Sequence, residues 1–179
     1  MKNGLLCLFF GLSSLFCSSQ ERLHLRINVF AVQKEFMTLY YKRADSLKHE
    51  IAEDKSLLCL TQCQLNYLKG VEHISHEQKP GSAHYSLDDR FNFYYPTTSE
   101  RSNSELDYGE VICQLGGTDI LYEYTNKELA YELFNGFITS KGHREIMDNE
   151  KFVKVNFQVA ITRFNKVVVV GVLSNQTMK

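Results

Sequence analysis

The chain has 179 residues, 44% of them hydrophobic, which is enough to build the core of one domain without disulfide or metal staples. Its 20 basic and 21 acidic residues give a formal net charge of -1. A near-neutral chain without a basic stripe lacks the electrostatic attraction on which nucleic-acid-binding and peripheral membrane proteins depend, so we expect neither kind of partner.

Residues 1–19 have the layout of a secretory signal peptide. One lysine precedes a short apolar stretch and small residues follow it, which predicts cleavage before Gln20 and a mature net charge of -2. An alternative places a lipid on Cys17, but Phe16 is bulky where that processing prefers a small residue. We therefore expect a secreted or periplasmic protein in which residues 20–179 form one domain, with no transmembrane segment in the mature chain.

Three cysteines remain after the predicted leader, namely Cys59, Cys63 and Cys113. An odd number leaves at least one thiol outside any intramolecular disulfide. Cys59 and Cys63 are four residues apart, so on a helix they share a face but are awkward disulfide partners. We expect buried thiols rather than a disulfide framework.

The first half of the mature chain is predicted to be helical. From Val29 to Arg43 apolar residues recur at steps of three or four, the stripe of an amphipathic helix. A second helix is predicted from an N-cap at Asp54 to about Lys69, before a glycine stop signal. Ser86 and Asp89 have the spacing of a capping box and predict a third, short helix.

Thr125 and Glu128 form a stronger capping box, which predicts a fourth helix. We expect Gly142 to end this helix. Its apolar residues recur at helical spacing and predict a buried face made of Leu129, Leu133, Phe134 and Phe137.

Three segments are predicted to be strands. Residues 108–115 are rich in apolar and β-branched side chains, and a Gly-Gly exit turn follows. Residues 157–161 and 167–173 flank a turn near Asn165 and predict an antiparallel hairpin. The unbroken valine run from Val167 to Val170 indicates a strand that is covered on both faces. Helices on both sides of a small antiparallel sheet would provide that cover.

Three polar residues stand at the ends of these elements: His76 after the second helix, Glu110 at a strand start, and His143 past the predicted helix stop. If their segments meet, one carboxylate and two imidazoles line a single cleft. Such a set binds a divalent cation, shuttles protons or orients a polar ligand. Cys113 lies three residues from Glu110, so the two should face opposite sides of the sheet. The spacings match no established metal-binding or nucleophile motif.

The same segments share motifs with a known family. Phe134–Arg144 resembles a Trp-x-x-Ser-x-Gly-His-Arg segment, Tyr108–Ile112 resembles a Gly-Glu-Asn-Ile strand, and Ile74–His76 resembles a Ser-His element. These motifs, in this order, are those of the CAP superfamily, named for cysteine-rich secretory proteins, antigen 5 and pathogenesis-related 1. The resemblance covers roughly residues 29–173.

The resemblance implies an α+β fold, a three-layer α-β-α sandwich with a small antiparallel sheet, in an extracellular setting. It also implies a cleft of two histidines and acidic residues, carried here onto His76, Glu110 and His143. His84 is an alternative to His76, because the loop at Pro80-Gly81 leaves the alignment open there.

Several positions depart from the family pattern. Val111 replaces its asparagine, Phe137 replaces its tryptophan, and no glutamate takes the place of the second acid on the last helix. A complete four-residue metal site is therefore not expected. A divalent metal such as zinc would be held through His76 and His143.

From these residues we predict a secreted binding or interaction module. Its polar cleft would hold a lipid-like or other small ligand, with or without a weakly held divalent ion. Lipid and sterol binding enter through the resemblance alone. One alternative is a metal-assisted extracellular hydrolase, which leaves no general base once Glu110 and both histidines bind the metal. Another is a structural module in which the polar cluster joins helix, strand and loop and binds no ligand.

Overall fold

The computed structural model describes residues 27–95, 106–117 and 120–176. The predicted leader, with Cys17, lies outside these ranges. The helices are α1 (Val29–Ser46), α2 (Leu58–Leu68), α3 (Leu87–Tyr94), α4 (Ile120–Glu123), α5 (Asn126–Thr139) and α6 (Lys141–Met147). The strands are β1 (Ala52–Glu53), β2 (Tyr108–Leu115), β3 (Lys154–Ile161) and β4 (Val167–Ser174).

Side-chain caps fix the starts of most of the predicted helices. The Asn28 side chain accepts hydrogen bonds from the first turn of α1. Both predicted capping boxes are present, with Ser86 and Asp89 starting α3 and Thr125 starting α5. Asp54 caps a 3-10 turn that leads into α2 rather than α2 itself, so that helix begins later than predicted.

The strands form one sheet in the order β1-β3-β4-β2. The predicted hairpin is confirmed, since β3 and β4 pair antiparallel along their full lengths. β2 pairs antiparallel with the other side of β4. The sheet is nevertheless mixed, not purely antiparallel, because β1 pairs parallel with β3. A two-residue strand is too short to show the alternation by which strands are predicted.

Helices cover both faces of the sheet, so the expected α+β sandwich is confirmed. Every residue of β4 is buried. Val167, Val169 and Leu173 pack in one cluster with buried residues of α1 and α5. Val168 and Val170 pack with α2 on the opposite face. This alternation explains why the strand is without polar side chains from Val167 to Leu173.

The prediction that Gly142 ends α5 was wrong. The extended conformation of Ser140 ends α5 at Thr139, and the same residue is the N-cap of α6. Gly142 is the second residue of α6, so His143 lies within a helix rather than beyond one. No glycine is needed for this break, because an extended serine already turns the chain. Glycine as a stop signal was therefore misleading at this position.

Candidate functional site

Glu110 is the buried centre of a polar cluster. It lies near the start of β2, which is an edge strand of the described sheet, on the face covered by α2 and α3. Its side chain is 1% exposed. Oε2 accepts a hydrogen bond of 2.6 Å from Arg90 Nη2, and Oε1 lies 3.0 Å from His76 Nδ1. Both carboxylate oxygens are thus engaged by other side chains.

Arg90 is fully buried on α3. Besides Glu110, its guanidinium donates from Nη1 to the carbonyl oxygens of His76 and His84, each at 3.3 Å. Two carbonyls eight residues apart in the loop between α2 and α3 are therefore held by one guanidinium group. The capping box at Ser86 fixes the helix from which Arg90 projects.

His76 is the member of the cluster that reaches solvent, with 55% of its side chain exposed. Because an ionised carboxylate only accepts hydrogen bonds, the contact with Glu110 makes Nδ1 the donor. In the neutral ring this leaves Nε2 as an acceptor, and Nε2 has no hydrogen bond to any residue that the structure describes.

His143 approaches the same place from α6. Its ring centroid lies 6.3 Å from that of His76 and 5.2 Å from that of Phe137, which it meets edge to face. Gly109 permits α6 to pack closely on β2, since a Cβ there would lie 3.0 Å from Ile146 Cγ2. The pKa of His143 is lowered from its usual 6.5, first by burial and then by the nearby charge of His76 when that ring is protonated.

The structure brings His76, Glu110 and His143 together and leaves the ring of His84 elsewhere. His84 packs against Phe93 and Tyr94, with ring centroids 4.3 and 5.7 Å away, and takes part in the cluster only through its carbonyl oxygen. The sequence leaves His76 and His84 as alternatives for the cleft, and in the structure His76 is the one that lies next to Glu110.

The thiols lie outside the cluster. Cys113 faces the opposite side of the sheet from Glu110, as predicted, and burial raises its pKa to about 11. All three described cysteines are free, but the expectation of buried thiols was wrong for Cys59, which is exposed. Cys63 is half-buried and contacts the amide of Gln78.

Arg90 is the residue that sequence reasoning missed. It occupies a core-facing position of α3, because Leu87, Phe91 and Tyr94 at the neighbouring helical positions all pack in one apolar cluster. A charged residue within an apolar stripe is the signal that was available, since arginine is almost never fully buried without a partner.

The donor set does not fit a metal ion. Glu110 has both oxygens engaged, one of them by a buried cation, which leaves two imidazoles. Within the described ranges, no group of three or more histidine, cysteine or acidic side chains is placed to hold a metal. A zinc site needs at least three protein ligands, so the predicted pair of His76 and His143 falls short of one.

Two surface concavities lie away from the cluster. One, of about 380 Å³, lies near the far end of β2 and includes His73, Gln114 and Lys166. The other, of about 330 Å³, lies along α1 beside β1 and includes Phe30 and Met37. Neither includes a residue of the Glu110 cluster.

Comparisons with known proteins establish the fold only. The structure is similar to that of an outer surface protein from Borrelia burgdorferi, with a TM-score of 0.57 and 15% sequence identity. The similarity covers 83% of this chain and 96% of that chain. No protein family and no curated protein matches the sequence. Across the described part of the chain, no helix has the length and hydrophobicity to cross a membrane.

Proposed function

We propose that this chain is an exported binding module of the CAP type, which contacts the hydroxyl group of a small, lipid-like ligand through His76. Export is supported by the signal-peptide layout of residues 1–19 and by the fold shared with a protein named as an outer surface protein. The CAP assignment rests on the resemblance of the motifs around His76, Glu110 and His143 and on their order in the chain.

The observation that carries the proposal is the hydrogen bond of 3.0 Å between Nδ1 of the half-exposed His76 ring and Glu110 Oε1. A carboxylate bound to one ring nitrogen fixes the tautomer and the orientation of the imidazole. The other nitrogen then presents a lone pair to whatever enters from solvent. A hydroxyl group is a neutral donor that matches this acceptor.

His143 supplies a second contact in this proposal. Its lowered pKa keeps the His143 ring neutral at pH 7, so this ring does not repel or attract a ligand through an imidazolium charge. The rings of His76 and His143 are 6.3 Å apart, within reach of one small polar group. No described serine, threonine or cysteine side chain hydrogen-bonds to either ring, so the arrangement favours binding over covalent catalysis.

Binding of cholesterol, of a long-chain alcohol and of cholesteryl acetate tests the proposal. We expect saturable binding of at least one alcohol and weaker binding of the acetate, whose hydroxyl is capped. His76→Ala should weaken alcohol binding about tenfold, the effect of one lost hydrogen bond. His73→Ala is the matched control, because His73 is an exposed histidine of the same loop and should bind as the wild type does.

Two outcomes would contradict this function. One is the absence of saturable binding for both alcohols. The other is equal affinity of wild type and His76→Ala, because the imidazole would then have no part in recognition. A structural cluster without a ligand would give the first outcome together with a loss of stability in His76→Ala.

A further inference from the structure

Arg90 is an unusual residue for the interior of a small domain. Its side chain is 0% exposed and projects from the apolar stripe of α3. A buried guanidinium has to be compensated by an opposite charge, since removing a charge from water is costly. Glu110 provides this charge at 2.6 Å, and it is itself 1% exposed. The two charges neutralise each other inside the protein.

The guanidinium also organises the loop that carries His76. By donating to the carbonyl oxygens of His76 and His84, it holds both ends of a nine-residue stretch against α3. Together with the contact from Glu110 to His76 Nδ1, this fixes both the backbone and the ring of His76. In metal sites, hydrogen bonds from neighbouring groups orient carboxylate and histidine ligands in the same way.

We infer that Arg90 is a built-in cation that takes the place of a metal ion beside Glu110. The guanidinium binds the carboxylate that a divalent ion would need, and it neutralises the negative charge that would otherwise attract such an ion. The cluster is therefore assembled by the chain itself and is independent of metal. This inference concerns the same cluster as the proposed function, but it does not depend on any ligand being bound.

Zinc titration tests the inference, with Zn²⁺ alone as the probe. We expect one equivalent of Zn²⁺ to leave the ring signals of His76 and His143 unchanged in the NMR spectrum of the wild-type protein at pH 7.5. Arg90→Met removes the guanidinium charge and frees the Glu110 carboxylate. We expect this variant to have a lower Tm, and Zn²⁺ to raise that Tm by several degrees.

Three further variants separate the cluster from other zinc ligands. The zinc-dependent rise in Tm should disappear in Arg90→Met combined with His76→Gln, because that variant lacks the His76 imidazole. The exposed Cys59 is retained in it, so the loss of the effect would exclude this thiol as the zinc ligand. Arg90→Lys keeps a positive charge and should stay indifferent to Zn²⁺. Arg163→Met is the matched control. Because Arg163 is exposed, this variant should have the Tm and the zinc response of the wild type.

Stoichiometric zinc binding by the wild type that is lost in His76→Gln would overturn the inference. It would also fail if a folded Arg90→Met protein kept the wild-type Tm or showed no response to Zn²⁺. If Arg90→Met does not fold with or without the ion, the wild-type titration decides alone. The binding of alcohols by the wild type is measured without zinc and without these variants, so the proposed function is tested separately.

Discussion

At the scale of single residues, His143 has the environment with the clearest consequence for pH dependence. Burial lowers its pKa, and a protonated His76 lowers it further. In the unfolded chain the pKa of His143 has its usual value of 6.5, and in the folded chain it is lower. At a pH between these two pKa values, the unfolded chain binds a proton more readily than the folded chain does. The free energy of unfolding should therefore fall as the pH drops through this window and become level below it.

Two measurements check this prediction. An NMR titration should give a midpoint for the His143 ring below its usual value of 6.5. Between about pH 7.5 and about pH 5, the free energy of unfolding should fall less in His143→Gln than in the wild type, because a glutamine at position 143 takes up no proton. A midpoint at or above the usual value, or an unchanged pH profile in the variant, would show that His143 is not buried against Phe137 as the structure has it.

The residues of the cluster were predictable to different degrees. Glu110, His76 and His143 stand out because each is a polar residue at the edge of an apolar element, and the family resemblance groups them. The sequence alone left His76 and His84 as alternatives, because both lie in an irregular loop where no periodicity sets the direction of a side chain. What separates them is the direction of each ring, which is visible only in three dimensions: His76 contacts Glu110, whereas the ring of His84 packs against Phe93 and Tyr94.

At the scale of elements, the break between α5 and α6 decides where His143 lies. Ser140 makes the break, and Gly142 belongs to the first turn of α6 with open space around it. Arg43, near the end of α1, forms a two-point ion pair with Asp148, the C-cap of α6, with contacts of 2.7 and 2.5 Å. These features hold α6 against the rest of the domain.

Replacement of Gly142 by alanine tests this arrangement. Because alanine is the better helix former and a Cβ would meet no atom within 4 Å, we expect a gain of about 0.5–1 kcal/mol in the free energy of unfolding. Urea denaturation measures the change. A loss of stability would indicate that Gly142 takes the left-handed conformation of a helix stop.

Gly171→Ala is the control with the opposite sign. A Cβ at this position of β4 would collide with Cε1 of Phe157, so the ring would have to move within the core. We expect a loss of about 1–3 kcal/mol, which is typical of overpacking. The pair of substitutions therefore separates an open glycine from one that a packed aromatic ring requires.

Periodicity and capping predicted the long elements well and the short ones poorly. The stripe of α1 and the two capping boxes were read directly from the side chains. β1, α4 and α6 have two, four and seven residues, which is too few for a repeating pattern to emerge. Their positions are set by contacts with distant elements.

At the scale of the whole molecule, the central feature is a valine-rich strand between two helical layers. Because β4 is covered on both faces, the helices on either side are held at a fixed distance from each other. His76 comes from the loop beside the α2 and α3 layer, whereas His143 comes from α6, which follows α5 in the other layer. The rings meet next to β2, the strand that carries Glu110.

The arrangement of helices on both faces of a sheet could be predicted from the sequence, because an uninterrupted apolar strand has to be buried on both faces. The convergence of the three segments could be expected only through the CAP resemblance, since no local pattern relates positions 76, 110 and 143. The buried pair of Arg90 and Glu110 could not be predicted, because a charge in the core is explained only by a partner that lies 20 residues away.

A double-mutant cycle on Arg90 and Glu110 tests the central claim most directly, that a buried ion pair assembles the cluster. The variants are Arg90→Met, Glu110→Leu and their combination, with the free energy of unfolding measured by urea denaturation. Each single change strands a buried charge and should cost about 3–5 kcal/mol, whereas the double variant strands none. We predict that the double variant loses at least about 1 kcal/mol less than the two single losses added together. Losses that add to within about 0.5 kcal/mol would contradict the account, because they would place the two side chains in independent environments.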